Sequence, residues 1–285
     1  MSAWFIALAM GVQVCSAGQA PEFQEIWRLD GLEAPESVIA DGRGGYIVSN
    51  IAGEAAERNG AGYLARVSFD GALTERHWVT GFNAPKGMAL HDGHLFVSDI
   101  DRLVEIDLGT GERMADYPMP GAGFLNDVAV LGDRVLVSDS ANSRIYALED
   151  GVVSVWLEDA ALAGVNGLFV EDNRLLVTTM SAGDILAVDL DDRSLTQLLT
   201  GLDNADGIGP VAGGYVISQW PGLVSFWREN TAQFNETTLI FDETETPVFM
   251  NDLLTEGDRI LIPHWQPGAL SAWQVECAAD ASTAH

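Results

Sequence analysis

Short apolar runs broken by turn residues recur along this chain from its fourth decade to its end. The pairs VIA/YIVS, VAV/VLVS, LFV/LLVT and LLT/ILIP are each joined by a few residues rich in Asp, Gly, Asn and Arg, as in DGRGG, LGDR, EDNR and EGDR. Strand-length apolar runs around such turns predict β-hairpins. Third strands follow in LVEIDL from Leu103, RIYALE from Arg144, DILAVDL from Asp184 and LVSFW from Leu223. No segment beyond the first twenty residues sustains a 3.6-residue period, so the fold predicted is all-β.

Six stretches align with one another. They are APESVIADGRGGYIVSN from Ala34, APKGMALHDGHLFVSD from Ala84, FLNDVAVLGDRVLVSD from Phe124, GVNGLFVEDNRLLVTT from Gly164, NADGIGPVAGGYVISQ from Asn204 and FMNDLLTEGDRILIPH from Phe249. Their third position holds Glu36, Lys86, Asn126, Asn166, Asp206 and Asn251, at successive spacings of 50, 40, 40, 40 and 45 residues. A period near 40 with a hairpin in each repeat predicts a six-bladed β-propeller rather than a two-sheet sandwich. The third position opens the innermost strand of each blade, so the six side chains are expected to converge on the central channel. The hairpin returns the chain to the same mouth, where Asn50, Asp99, Asp139, Thr179, Gln219 and His264 are expected to form a second polar tier.

At 285 residues, with 47% hydrophobic residues and 30 glycines, the chain has enough core and turns for one closed ring, expected over 21–276. Residues 1–20 form an apolar run ending in small residues, which reads as a secretory leader although it lacks Lys and Arg; residues 277–285 read as an unstructured tail. The expected location is periplasmic or secreted. Removal of the leader would leave Cys277 alone, so no disulfide is expected, and no later segment is apolar enough to span a membrane. With 42 acidic against 14 basic residues the net charge is -28, which excludes a nucleic-acid-binding role.

Glu36, Asn126, Asn166 and Asp206 offer two carboxylates and two amide carbonyls, the hard oxygen donors Ca²⁺ takes in a shell of about six to eight. Zinc would call for His or Cys, and neither occupies the repeated position. An Asn or Asp at one strand entry serves equally well as a turn cap; four at equivalent places on a ring point to a shared divalent ion. Such an ion polarises a carbonyl, and Asp206 or a nearby carboxylate such as Asp139 would take a proton from attacking water. Lys86 is the chain's one lysine among 14 basic residues, and it sits in the ring as an oxyanion donor, a substrate contact or a base of lowered pKa. His264, with Trp265 behind it, is the histidine expected nearest the mouth and, with Asp206 and Lys86, a candidate catalytic residue. No GxSxG, HExxH, Walker or CxxC motif is present.

The motifs APESV, FLNDVAV, GVNGLFV and ADGI, in that order and blade spacing, resemble the metal-binding motifs of the senescence-marker-protein/gluconolactonase family of six-bladed propellers, over about Leu32 to Trp273. The pair Asn126-Asp127 is also similar to the central calcium region of the paraoxonases. The resemblance implies a calcium-type ion on Glu36, Asn126, Asn166 and Asp206, and a metal-dependent hydrolase of small lactones or related esters. Blade 2 departs from the pattern, because APKG has Lys86 where paraoxonase-like relatives carry a catalytic histidine. Two alternatives stay open: a non-catalytic propeller that binds a ligand or partner around a structural ion, and a strictosidine-synthase-like lyase.

Overall fold

The computed structural model describes residues 14–16, 19, 21–229 and 248–277. Most of the leader read over 1–20 and the tail after Cys277 lie outside the described residues. Among the described residues the chain is all-β, and six sheets are arranged as blades of a β-propeller. Blade 1 runs Pro35–Ala40, Gly45–Asn50, Gly62–Ser68 and Leu73–Phe82, each strand antiparallel to the last. Blades 2, 3 and 4 repeat that order from Pro85–His91, Leu125–Leu131 and Val165–Glu171, and blade 5 begins at Ala205–Val211.

Turn chemistry sets the hairpins. In blade 2, His91 pairs with His94 across Asp92 and Gly93, both at positive φ (49° and 82°). That is the two-residue primed turn whose twist matches the strands, and Asp and Gly are among the residues that tolerate it.

Each of six large clusters of buried side chains lies between two neighbouring blades. Ile47, Leu64 and Phe82 of blade 1 meet Met88, Leu95 and Val97 of blade 2. Phe96, between those last two, points the other way and packs on Leu125, Val135 and Val137 of blade 3. A second strand therefore fills a wedge on both faces with alternating side chains, which is why LFV, VLV and LLV are apolar without a break.

Blade 6 closes the ring with the opposite end of the chain. Arg259–Gln266 and Ala269–Cys277 lie beside Phe249–Met250 and Leu254–Glu256, and the outer strand is Pro21–Asp30, antiparallel to Ala269–Cys277. The expectation that Cys277 stands alone is corrected, for Cys277 ends a strand and is disulfide-bonded to Cys15. Cys15 is 4% exposed and packs in the wedge between blades 5 and 6, so it belongs to the fold's core. Among the described residues no helix is long and apolar enough to cross a membrane.

Candidate metal centre and mouth cavity

The repeated polar position owes its orientation to a backbone defect. In blades 1 to 5 the ladder between the first two strands shifts register at that position, between Pro35 and Val38, Pro85 and Met88, Leu125 and Val128, Val165 and Leu168, and Ala205 and Ile208. A β-bulge leaves residues without ladder partners and re-aims their side chains. A hydroxyl on the second strand supplies the missing partner: Ser49, Ser138, Thr178 and Ser218 accept from the backbone N–H groups of Ser37, Asp127, Gly167 and Gly207 at 2.8–3.0 Å. Ser98, at the same place in blade 2, instead donates to the Asn126 carbonyl of blade 3. The signal was present as the Ser or Thr ending YIVS, LFVS, VLVS, LLVT and YVIS.

The six side chains of the repeated position meet in one cavity. Glu36, Lys86, Asn126, Asn166, Asp206 and Asn251 all line it, with a volume of about 340 Å³, and each is buried. Burial, and then the Asp206 charge, push the Glu36 carboxyl well above the usual range, with Lys86 opposing. Asp206 is raised by burial and by Asp252, while a hydrogen bond from the Asn166 side chain lowers it. The Asn126 amide donates to Ser140 Oγ at 3.5 Å, and that of Asn251 to the Pro35 carbonyl at 3.0 Å, which ties blade 6 to blade 1.

Glu36 Oε2 is buried and has no hydrogen-bond partner among the described residues. Two enclosed carboxylates, one raised by the charge of the other and with one oxygen unpaired, carry a cost that a divalent cation would offset. The donor set fits such an ion: two carboxylates and two amides, with no nitrogen or sulfur ligand. Among the described residues no three His, Cys, Asp or Glu side chains form a metal cluster, so the amides are needed to complete a ligand set.

Lys86, 1% exposed, has its ammonium on the Ala55 and Ala84 carbonyls at 2.8 and 3.1 Å and 4.3 Å above the Phe124 ring. Burial pulls its pKa below the usual lysine range, opposed by Glu36 and Asp99. Ala55 lies in the connection 51–61, the extra length behind the first, longest repeat spacing. Arg58 fastens that connection to Asp101 through two contacts of 2.8 and 3.1 Å.

The second polar tier takes a different place from the one expected. Asn50, Asp99, Asp139, Thr179, Gln219 and His264 are buried, and none of them lines the cavity. Four of them close the neck of their own blade. Asn50 accepts from Glu33 N, Asp99 from Asn83 and Ala84 N, Asp139 from Gly123 and Phe124 N, and Gln219 from Asp203 N, at 2.8–3.3 Å. Asp139 also accepts from Asn142, so the idea that it deprotonates water in the cavity is corrected.

His264 is corrected in the same way. Its ring is 0% exposed, with Nε2 at 2.7 Å from Ser271 Oγ, and burial followed by the Arg28 charge takes its pKa down to about 3. The imidazole is held neutral while the unfolded chain binds a proton below about 6.5. Its contribution to stability is present above that pH and is lost on acidification toward pH 3. Between pH 7 and 5 the wild type should lose about 2 kcal/mol more unfolding free energy than His264→Gln, read by urea titration at both values. Equal losses would show that His264 is not held neutral.

Two further carboxylates each directly follow a repeated-position residue: Asp127, named from the sequence only as part of the Asn126-Asp127 pair, and Asp252, which the sequence did not single out. Asp127 of blade 3 accepts from Leu168 N of blade 4, and Asp252 of blade 6 accepts from Ser37 Oγ of blade 1, at 2.7 and 2.6 Å. Burial raises both, Asp252 to about 6. Gly207 has no room for a side chain beside Asp252, since a Cβ there would stand 2.3 Å from Asp252 Oδ1.

No protein-family profile matches the chain, and no curated protein matches it. Solved structures do. A protein assigned to the gluconolactonases is 18% identical with a TM-score of 0.65, covering 93% of this chain and 95% of its own. This is a six-bladed propeller scaffold. A gluconolactonase from Xanthomonas campestris is 14% identical with a TM-score of 0.64, over 90% of each chain. Virginiamycin B lyase from Staphylococcus aureus is 13% identical with a TM-score of 0.65, over 90% of this chain and 99% of its own. At 13–18% identity these likenesses show the fold alone, and function is read from the site.

Proposed function

We propose that this chain is a metal-assisted hydrolase of lactones or related esters. The observation that carries this reading is the meeting of Glu36, Asn126, Asn166 and Asp206 in one cavity, with Glu36 Oε2 buried and lacking a partner among the described residues. Those four residues would hold a divalent ion of the calcium type, which when bound supplies Lewis acidity toward a carbonyl oxygen.

The chain's own groups then have distinct tasks. Asp206, aligned by the Asn166 amide, takes the proton as the oxygen of water bonds to the carbonyl carbon. The ring or ester C–O bond breaks, and the departing oxygen takes up a proton, giving a hydroxy acid or an acid and an alcohol. Lys86 has three N–H donors. Two are engaged by Ala55 and Ala84, and the third serves the oxygen on which negative charge develops. The Cys15–Cys277 disulfide fits an oxidising compartment, which supports a periplasmic or secreted location with Cys15 retained.

Metal content of the purified protein, followed by hydrolysis and melting with and without a strong chelator, tests the proposal. An ion present at about a hundred times its dissociation constant adds about 2.7 kcal/mol, so chelation should lower Tm by roughly 5–10 °C and stop hydrolysis. Identical melting curves and rates from metal-loaded protein would overturn the reading.

A further inference from the structure

The cavity is chemically two-sided. Its oxygen donors come from blades 1, 3, 4 and 5, whereas the wall at blades 5 and 6 is aromatic. Trp220, just beyond the second strand of blade 5, stacks on Phe249 with centroids 5.2 Å apart and 20° between planes. It meets Trp265 edge-on at 6.0 Å. Phe124 and Met180 extend the apolar lining.

All five of these side chains are half-buried, while the aromatic residues Tyr46, Phe82, Phe226 and Trp227 are sealed inside the wedges. Two tryptophans held against one another at a cavity mouth with ring surface left uncovered form a ready stacking face. The polar lining outside the oxygen donors is sparse. Asn251 is committed to Pro35, Lys86 has two donors engaged, and Glu54 and Gln266 stand exposed at the rim. A polyhydroxylated lactone would turn most of its hydroxyls toward carbon, and buried polar groups left without partners weaken binding. Nor is there an excess of positive charge to receive an anion, since Glu36, Asp206 and Glu54 face the single ammonium of Lys86.

Resting on the hydrolase reading, we infer that the substrates are neutral lactones or esters bearing a flat aryl group. The aryl ring docks on Trp220 and Trp265, and the scissile carbonyl reaches the Glu36 and Asp206 side of the cavity.

The test is kinetic, with an aryl-substituted γ-lactone, unsubstituted γ-butyrolactone and glucono-δ-lactone as probes. The aryl compound should show the highest kcat/KM. Trp265→Leu should shrink the ratio of aryl to unsubstituted kcat/KM on the order of 10-fold or more, and Trp265→Phe should retain most of it. Preference for glucono-δ-lactone, or a ratio unmoved by Trp265→Leu, overturns the inference while leaving the hydrolase reading intact. If none of the three is hydrolysed by metal-loaded protein, the hydrolase reading fails. Quenching of tryptophan fluorescence by the aryl lactone still decides the wall: saturable quenching weakened by Trp265→Leu supports it, and none overturns it.

Discussion

Asp206→Asn should lower kcat/KM for every hydrolysed substrate by about 10²- to 10⁴-fold, the range expected when a general base is removed. The substitution is nearly isosteric and retains an oxygen that can accept from Asn166, so the bulge and its neighbours have no steric reason to move. What it removes is a buried negative charge that repels Glu36 and is itself raised by Asp252. Loss of rate should therefore come with no loss of stability in chelator, where no cation rewards the second carboxylate, and with Tm there unchanged or higher. Catalytic efficiency and chelator-treated melting curves on one preparation check both halves. Activity within about threefold of wild type would remove Asp206 from the proton-transfer step.

Cys277→Ser should destabilise the protein by about 2–5 kcal/mol, which for a domain of this size lowers Tm by roughly 5–15 °C. The bond spans 262 residues of sequence, and the chain entropy removed from the unfolded state grows with the logarithm of loop length. It also fastens Cys15 into the wedge between blades 5 and 6, where Cys15 N donates to the Ala212 carbonyl at 3.1 Å. Thermal melts of the variant, and of wild type with and without reductant, give the answer. Curves that coincide in all three samples would mean that the pairing contributes nothing.

Much of the fold was legible because each blade writes its hairpin in apolar runs and turn residues at a regular period. The converging side chains were legible for the same reason, as polar residues such as Asn126 and Asp206 interrupt an otherwise apolar repeat. The second tier was misplaced because a bulge breaks the alternation of faces. Beyond it, counting residues from Asn126 no longer says whether Asp139 faces the channel or the neck of its blade. Closure was hidden for a different cause. PEFQEIWRLD has no sister among the repeats, and its partner strand lies at the far end of the sequence. The disulfide went with it, since reading the first twenty residues as a removable leader took Cys15 out of the fold.

The shared last blade sets an order on biosynthesis. Pro21–Asp30 is made before the other described strands, yet it pairs only with Ala269–Cys277, the last of them. Blades 1 to 4 can form in turn as they emerge, while the first strand waits with both edges open, a condition that invites pairing with another chain. Its sequence is suited to waiting. Pro21 cannot donate to a ladder, and Glu22, Glu25, Arg28 and Asp30 put charge along it, the devices by which exposed strand edges resist association.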